Sequence, residues 1–189
     1  MEKRIIYLIG SLRNRTGVMN VANRLQKISP DWEIFTSWLA PGPRADDYLR
    51  DYGKMKGLSY EETLKDYAST HIFEFDKFHI DRATDVIAIM KIGRSGHLEL
   101  GYAVGKGKRG YILFDETPKR VDIMYQFATQ IFFNFNDLVK ELKSLPNKPA
   151  VDNIPTTVFL NGIAKMSCKT CSYWFGNGNS KCPICGRII

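Results

Sequence analysis

Short apolar runs alternate with helical patterns along most of this chain, and this alternation limits the possible folds more than any other feature of the sequence. Runs rich in β-branched and aromatic residues predict strands, and apolar residues at helical spacing predict helices between them. The predicted strands cover residues 4–10, 31–39, 85–91, 110–114 and 130–134, and the predicted helices cover 16–29, 97–106 and 136–144. Strands and helices that alternate in this way form βαβ units. We therefore expect an α/β domain of the flavodoxin/Rossmann-like type, in which a parallel sheet of about five strands carries helices on both faces.

The chain divides into one large and one small unit. Its 189 residues are enough for one domain with a sizeable core and a small appendage. We assign the sheet domain to residues 1–148, a linker containing Pro149 and Pro155 to 149–160, and a small module to 161–189. Within the sheet domain, residues 45–75 form a longer polar stretch rich in Tyr, Asp and Lys, which we expect to be helical in two pieces and to act as a lid.

The composition is that of a soluble globular protein. Hydrophobic residues make up 44% of the chain and charged residues 25%. The first long apolar run, residues 5–10, is interrupted by Ser11 and Arg13, so it is too short for a signal-peptide core or a membrane span. We expect a cytoplasmic protein with no membrane partner. The formal net charge of +7 fits a nucleic-acid partner or a phosphorylated small substrate, and it also fits an ordinary basic enzyme.

All four cysteines lie within residues 168–185, which indicates thiolates used for one local purpose in a reducing compartment. Cys168 and Cys171 form one C-x2-C pair, and after ten intervening residues Cys182 and Cys185 form a second. This spacing presents four thiolates tetrahedrally to one metal ion and predicts a structural zinc ribbon, with a rubredoxin-like iron site as the alternative. Because four protein ligands leave no open position, we expect the zinc to be non-catalytic. We expect no organic cofactor.

The predicted zinc ribbon carries positive charge and aromatic side chains. From residue 161 onward there are four basic residues and no acidic one. Together with Tyr173, Trp174 and Phe175, these residues could hold nucleic acid through phosphate contacts and base stacking. The other interpretation is a zinc-stapled cap or subunit contact whose aromatic side chains fill its own small core.

The loops after the first and third predicted strands are the first places to look for chemistry. In parallel α/β sheets, ligands bind at the carboxyl ends of the strands. One of these loops begins at Gly10 and the other at Ile92. Glu99 follows the second loop, and we place it in the first turn of the next helix, where the helix macrodipole favours a negative charge.

Three motifs around these loops resemble the nucleoside 2-deoxyribosyltransferase-like family. A small-residue loop is followed by ELGYA at residues 99–103, similar to an E-x-G-x-A pattern whose glutamate is the nucleophile in that family. The segment YLIGSLR at residues 7–13 is similar to the Y-x-x-G-S-x-R stretch of the family's deoxynucleoside 5′-monophosphate N-glycosidases. Asp76 lies upstream of the strand that leads to the glutamate, where the transferases carry an aspartate that contacts the base. The resemblance covers residues 4–145.

The resemblance implies roles for individual residues. Glu99 would be the nucleophile, Asp76 would contact the base, and Ser11 and Arg13 would bind a 5′-phosphate. The remaining candidates for substrate binding are Tyr7, Gly10, Arg94, Ser95, Gly96 and His97. Family transferases carry an acid in the loop formed here by residues 93–95, and Arg94 in that loop instead favours an anionic substrate. Related enzymes are oligomers in which a neighbour completes the pocket, so the resemblance also implies a homo-oligomer.

The residue chemistry is consistent with this interpretation. A carboxylate that faces C1′ of a sugar can displace the base and form a glycosyl-enzyme. Asp76 can protonate the leaving base if burial raises its pKa. We therefore hypothesise cleavage or transfer of the N-glycosidic bond of a nucleoside or nucleoside 5′-monophosphate.

Two other functions stay open at this point. One is a non-catalytic nucleotide-sensing domain whose zinc ribbon binds nucleic acid or protein. The other is an NAD/ADP-ribose-type glycohydrolase that uses the same glutamate. Purely structural roles are open too: Glu99 and Ser11 could cap helices, and His97 could be a helix-start residue bonded to the backbone.

Overall fold

The computed structural model describes residues 3–40, 42, 44–145 and 147 and three later strands. The strands are β1 (Ile5–Ile9), β2 (Glu33–Phe35), β3 (Asp85–Ile89), β4 (Arg109–Leu113), β5 (Gln130–Phe132), β6 (Thr157–Leu160), β7 (Ile163–Ser167) and β8 (Trp174–Gly176). The α-helices are α1 (Arg15–Ile28), α2 (Ala45–Met55), α3 (Tyr60–Lys65), α4 (Tyr67–Arg82), α5 (Arg94–Gly105) and α6 (Phe135–Ser144). Short 3₁₀ helices cover Leu12–Asn14, Ser37–Leu39 and Ile123–Phe127.

The first five strands form one sheet in the order β2-β1-β3-β4-β5, and every neighbouring pair is parallel. This is the flavodoxin-like strand order, and it confirms the predicted α/β fold class. The chain changes direction across the sheet between β1 and β3, so the crevice at their carboxyl ends is the topological switch point. Ile9 is paired with Ala88, and the loops after β1 and β3 therefore begin side by side.

Helices cover both faces of this sheet, because successive side chains of a strand point to opposite faces. Ile6 and Leu8 belong to the core that packs against α1 and α6. Ile5, Tyr7 and Ile9 belong to the core that packs against α4 and α5. Tyr7 thus lies beneath the two helices that carry Asp76 and Glu99.

The second strand is shorter than the sequence pattern predicts. β2 ends at Phe35, although we expected the strand to continue to residue 39, and the next residues form the 3₁₀ helix Ser37–Leu39. The apolar side chains of this segment find partners outside the sheet. Leu39 is buried in the core on the α1 side, and Trp38 Nε1 donates a hydrogen bond of 2.7 Å to the carbonyl of Leu8.

The polar stretch that we expected to form two helical pieces forms three helices. α3 begins with a capping box, in which the Ser59 hydroxyl accepts from the backbone of Glu62 and the Glu62 carboxylate accepts from the backbone of Ser59. α4 follows directly, with Asp66 as its N-cap, and continues past Asp76 to Arg82. The lid function of this stretch stays a prediction.

At the amino end of β3, Asp85 is completely buried and is held by cationic groups. Arg109 bonds both carboxylate oxygens, at 2.6 and 2.8 Å, and Arg4 Nε lies 3.3 Å from Oδ2. Thr84 donates a further hydrogen bond at 2.7 Å. Because Arg4 also donates to the carbonyl of Leu142, this network ties the end of α6 to the sheet.

The three later strands form an antiparallel sheet in the order β6-β7-β8. β6 lies within the segment 149–160 that we assigned to a linker. Cys168, Cys171, Cys182 and Cys185 lie outside the described residues, so the zinc site stays a prediction. None of the helices in the described part of the chain is long and apolar enough to cross a membrane.

Candidate active site

Glu99 lies one turn deeper in its helix than the sequence predicts. α5 begins at Arg94, with Gly93 as N-cap, rather than near His97. Glu99 is therefore in the second turn, and the first turn contains no acidic residue. The first-turn prediction is wrong because the small residues that resemble a loop in the sequence form the start of the helix.

Gly96 allows the start of α5 to approach β1 closely. A Cβ atom at this position would lie 2.8 Å from Ile9 Cγ2 and 3.0 Å from Ile92 Cβ, so a larger residue would force the helix away from the sheet. From this contact, α5 runs along the sheet with Leu100 buried in the same core as Tyr7. The close approach brings Glu99 next to Tyr7.

Tyr7, Asp76 and Glu99 form one cluster between β1, α4 and α5. Tyr7 is 1% exposed, and its hydroxyl interacts with the Asp76 carboxyl. Burial raises the pKa of Tyr7 well above its ordinary value, and the neighbouring Asp76 and Glu99 carboxylates raise it further. The phenol therefore stays protonated at neutral pH and acts as a hydrogen-bond donor.

Both carboxyl groups of the cluster have raised pKa values. Burial raises the pKa of Asp76 to about 7, against the opposing effect of the Tyr7 hydrogen bond. Burial and, after it, the neighbouring Asp76 carboxylate raise the pKa of Glu99 to about 8. No basic side chain of the described residues contributes to either shift. We expected the helix N-terminus to favour ionised Glu99, but the effect of burial on its pKa is larger. Between about pH 7 and 8, Asp76 and Glu99 together hold one proton.

Aromatic rings form an apolar wall beside the cluster. Phe35 of β2 stacks on Tyr7 with ring centroids 5.3 Å apart, and His79 of α4 stacks on Phe35 at 3.7 Å. Phe75 contacts both Phe35 and His79. Sequence reasoning did not identify Phe35 or His79 as members of the site. The available signal was helical spacing, because His79 lies three residues after Asp76 and so shares a helix face with it.

The loop after β1 does not bring its predicted ligands into the cluster. Gly10 packs against α1, since a Cβ atom there would lie 2.3 Å from Val18 Cγ2. Ser11 caps the 3₁₀ helix by accepting a hydrogen bond of 3.2 Å from the backbone N–H of Arg13. Arg13 is exposed and forms no ion pair with another described residue. The phosphate-binding role of Ser11 and Arg13 stays a prediction.

The start of α5 carries the remaining predicted ligands. Arg94 and Ser95 are exposed, and Arg94 forms no ion pair within the described ranges. His97 Nδ1 lies 2.8 Å from the Gly93 carbonyl, and Nε2 lies 3.3 Å from the hydroxyl of Tyr125, on which the ring stacks. The polar contacts of His97 are thus made with the backbone and Tyr125, which fits the helix-start interpretation.

A cavity of about 480 Å³ opens on the other side of the sheet. It lies between α1 and α6 at the carboxyl ends of β3, β4 and β5, with Asn14, Asn20 and Arg24 among its polar lining groups. Tyr7, Asp76 and Glu99 do not line it. The cavity and the carboxyl cluster are therefore separate features of the domain.

In sequence, the chain matches no protein-family profile and no curated protein. Among solved structures, it is similar to a CMP N-glycosidase of Clostridium botulinum, BcmB. The two chains are 12% identical over 75% of this chain and 98% of the other, with a TM-score of 0.43. At this distance the activity in that name does not transfer to this chain, and the case for a function depends on the carboxyl cluster.

Proposed function

We propose that this protein cleaves or transfers the N-glycosidic bond of a nucleoside or nucleoside 5′-monophosphate, with Glu99 as the nucleophile. One observation carries the proposal. Two carboxyl groups with raised pKa values, one on α4 and one on α5, meet a buried phenol on β1, which is the first strand of the switch point. Burying carboxyl groups without a neutralising cation reduces folding stability. Groups kept in such an environment are typical of catalytic sites.

The reaction needs one ionised carboxyl and one proton donor. Ionised Glu99 attacks C1′ of the sugar, so that a bond from a Glu99 oxygen to C1′ forms while the bond from C1′ to the base nitrogen breaks. The base leaves with the bonding electrons and takes a proton from Asp76. Water, or a second base through its ring nitrogen, then gives a proton to Asp76 and attacks C1′, which breaks the bond between C1′ and the Glu99 oxygen and releases ionised Glu99.

Substrate must redistribute the proton that the two carboxyls share. The two carboxyls titrate as a coupled pair, with pKa values of about 7 and about 8, so the proton that they share near neutral pH belongs to the pair. Positive charge that develops at C1′ favours ionised Glu99, and a leaving base favours protonated Asp76. The Tyr7 hydroxyl interacts with both carboxyls and is the group through which the proton can pass.

Two arginines near the switch point favour an anionic substrate. Arg13 follows β1 and Arg94 follows β3, and both are exposed without an ion pair in the described part of the chain. A guanidinium presents a rigid fork of donors that matches phosphate oxygens. We therefore expect nucleoside 5′-monophosphates to be better substrates than the corresponding nucleosides.

The test is chromatographic detection of free base after incubation with a panel of nucleosides, their 5′-monophosphates and NAD. We expect release from at least one nucleotide and none in Glu99→Gln. The matched control is Glu116→Gln, which removes a carboxylate that is 76% exposed in the loop after β4 and should leave activity unchanged. Absence of base release from every compound, or full activity in Glu99→Gln, would contradict the proposal. Release from NAD alone would support the ADP-ribose-type glycohydrolase instead.

A further inference from the structure

Two buried polar atoms on α4, Asp76 Oδ1 and His79 Nε2, have no hydrogen-bond partner among the described residues. Their residues lie three positions apart, a spacing that places both side chains on one helix face. Asp76 interacts with Tyr7, His79 stacks on Phe35, and the rings of Tyr7 and Phe35 are themselves stacked. The two unsatisfied atoms therefore belong to the same buried layer.

Arg82 determines where the proton of His79 lies. Arg82 Nε, which can only donate, is 3.1 Å from His79 Nδ1. Nδ1 must therefore accept, and the proton of the neutral ring lies on Nε2. His79 is 5% exposed, and burial lowers its pKa to about 4, so the ring is neutral at neutral pH. His79 Nε2 is consequently a donor without an acceptor, whereas Asp76 Oδ1 is an acceptor without a donor.

The His79 ring is held firmly in this orientation. Arg82 forms an ion pair with Glu33 of β2, which fixes the guanidinium that bonds Nδ1. Phe35 covers a face of the ring at 3.7 Å. A water-mediated bond from Nε2 to Asp76 would extend this chain of polar contacts from the edge strand to the carboxyl cluster.

We propose that His79 is a positioning residue that is hydrogen-bonded from Nε2 to Asp76 Oδ1 through one water molecule, which accepts from Nε2 and donates to Oδ1. Since Oδ1 has no partner among the described residues, Oδ2 is the oxygen that is left to interact with Tyr7. A donor fixed on Oδ1 leaves Oδ2 as the oxygen that carries the proton of the neutral carboxyl. The proton is then held on the side of Tyr7 and Glu99, where the reaction would use it. This catalytic consequence rests on the proposed function, whereas the hydrogen bond does not.

The ionisable groups that interact with Asp76 are Tyr7 from β1 and Glu99 from α5, and His79 lies on the same face of α4 as Asp76. β2 contributes the uncharged ring of Phe35 to this layer. A donor on Oδ1 favours the ionised form of Asp76. Removing the donor should therefore raise the pH at which Asp76 titrates.

NMR titration of the full chain tests the proposal through the Asp76 carboxyl carbon and the His79 ring nitrogens. His79→Phe keeps an aromatic ring against Phe35 but has no donor, and the Asp76 midpoint should rise by about one pH unit, a tenfold change in the ionisation constant. His79→Gln keeps an N–H donor and should return the midpoint towards the wild-type value. The control is His71→Phe on the same helix, where His71 stacks on Tyr67 at 6.0 Å, and it should change nothing.

The outcomes separate this proposal from the proposed function. An unchanged Asp76 midpoint in His79→Phe, or a His79 proton on Nδ1 in the wild type, overturns the hydrogen bond even if the enzyme is active. A shifted midpoint without base release from any nucleotide supports the hydrogen bond and rejects the reaction. In an active enzyme, His79→Phe should lower kcat roughly tenfold with KM unchanged, because a positioning residue acts through Asp76 and not on the substrate. If His79→Phe does not fold, the wild-type tautomer and the His79→Gln midpoint decide the question.

Discussion

The sheet domain holds carboxyl groups in two opposite environments, one completely buried and one half-buried. At the amino end of β3, Asp85 lies between two guanidinium groups, with Arg109 Nε at 2.6 Å and Arg4 Nε at 3.3 Å. Where α4 and α5 pack on β1, Asp76 and Glu99 lie close to each other and to the phenol of Tyr7. No basic side chain of the described residues contributes to the pKa values of these two carboxyl groups. The first arrangement satisfies the charge of the carboxylate and connects secondary-structure elements. The second arrangement keeps carboxyl groups partly protonated near neutral pH, so that they can donate a proton in a reaction.

The largest effect should come from Glu99→Gln, which keeps the shape of the side chain and removes the nucleophile. We expect base release to fall by roughly 10³-fold or more, because no covalent intermediate can form. We expect no loss of folding stability, because the substitution removes a carboxyl group that burial disfavours. Chromatographic rates and urea unfolding measure the two expectations. A large loss of stability would mean that Glu99, like Asp85, has a structural role.

Asp85→Asn should reduce folding stability and leave activity nearly unchanged, the opposite of what we expect for Glu99→Gln. Removing the negative charge leaves Arg4 and Arg109 buried without their partner, and we expect the free energy of unfolding to fall by about 3–5 kcal/mol. Urea unfolding measures the effect, with Asp115→Asn, an exposed carboxylate after β4, as the control. The activity of the remaining folded protein should stay within about twofold of the wild type, since Asp85 is not part of the cluster. A stability close to that of the wild type would contradict the structural role.

The two regions should also differ in how stability depends on pH. Asp76 and Glu99 have folded-state pKa values of about 7 and 8, against ordinary values of 3.8 and 4.5. Between these limits the folded state binds more protons than the unfolded state, so stability falls as pH rises towards 8. Each carboxyl contributes a slope of up to about 1.4 kcal/mol per pH unit. His79, whose pKa is lowered from 6.5 to about 4, acts in the opposite sense below pH 6.5. The carboxyl effect is therefore clearest between pH 6.5 and 8.

Urea unfolding across this pH range checks the assignment of the slope. The double variant Asp76→Asn, Glu99→Gln should flatten the dependence, whereas Asp85→Asn should lower stability and keep the slope. A slope that survives in the double variant would show that other groups cause it.

Much of the sheet could be predicted from the sequence because its strands are buried on both faces and appear as continuous apolar runs. β1, β3 and β4 lie within one or two residues of their predicted limits. Asp76 and Glu99 were identified from the resemblance and from chemical reasoning, and the structure places them together. The strand order itself gives no local signal, but alternating strands and helices restrict it to a few possibilities.

The parts that were missed depend on contacts between distant residues. Residues 93–96 resemble a loop because they include two glycines and a serine, yet they begin α5, and Gly96 fits against Ile9 there. The wall of Phe35 and His79 joins β2 to α4 across 44 positions of the sequence, a pairing that no periodicity reveals. The sequence therefore pointed to the two carboxyl groups but not to the aromatic residues that pack beside them.

The smallest difference between the two regions should come from a pair of buried tyrosines. The Tyr7 hydroxyl interacts with Asp76 and affects its pKa, whereas the hydroxyl of Tyr111, in the strand beside Asp85, has no hydrogen-bond partner among the described residues. Tyr7→Phe should lower the free energy of unfolding by about 1 kcal/mol and raise the titration midpoint of Asp76, because a donor to the carboxylate is lost. Tyr111→Phe should be neutral or slightly stabilising, since it removes a buried hydroxyl that has no bond to lose. Urea unfolding of both variants at pH 8, where Asp76 is largely ionised and the Tyr7 bond is strongest, gives the best contrast. If both variants lose the same free energy of unfolding, the Tyr7 hydroxyl makes no stronger interaction than the hydroxyl of Tyr111. Tyr7 would then not be a donor that connects the two carboxyl groups of the cluster.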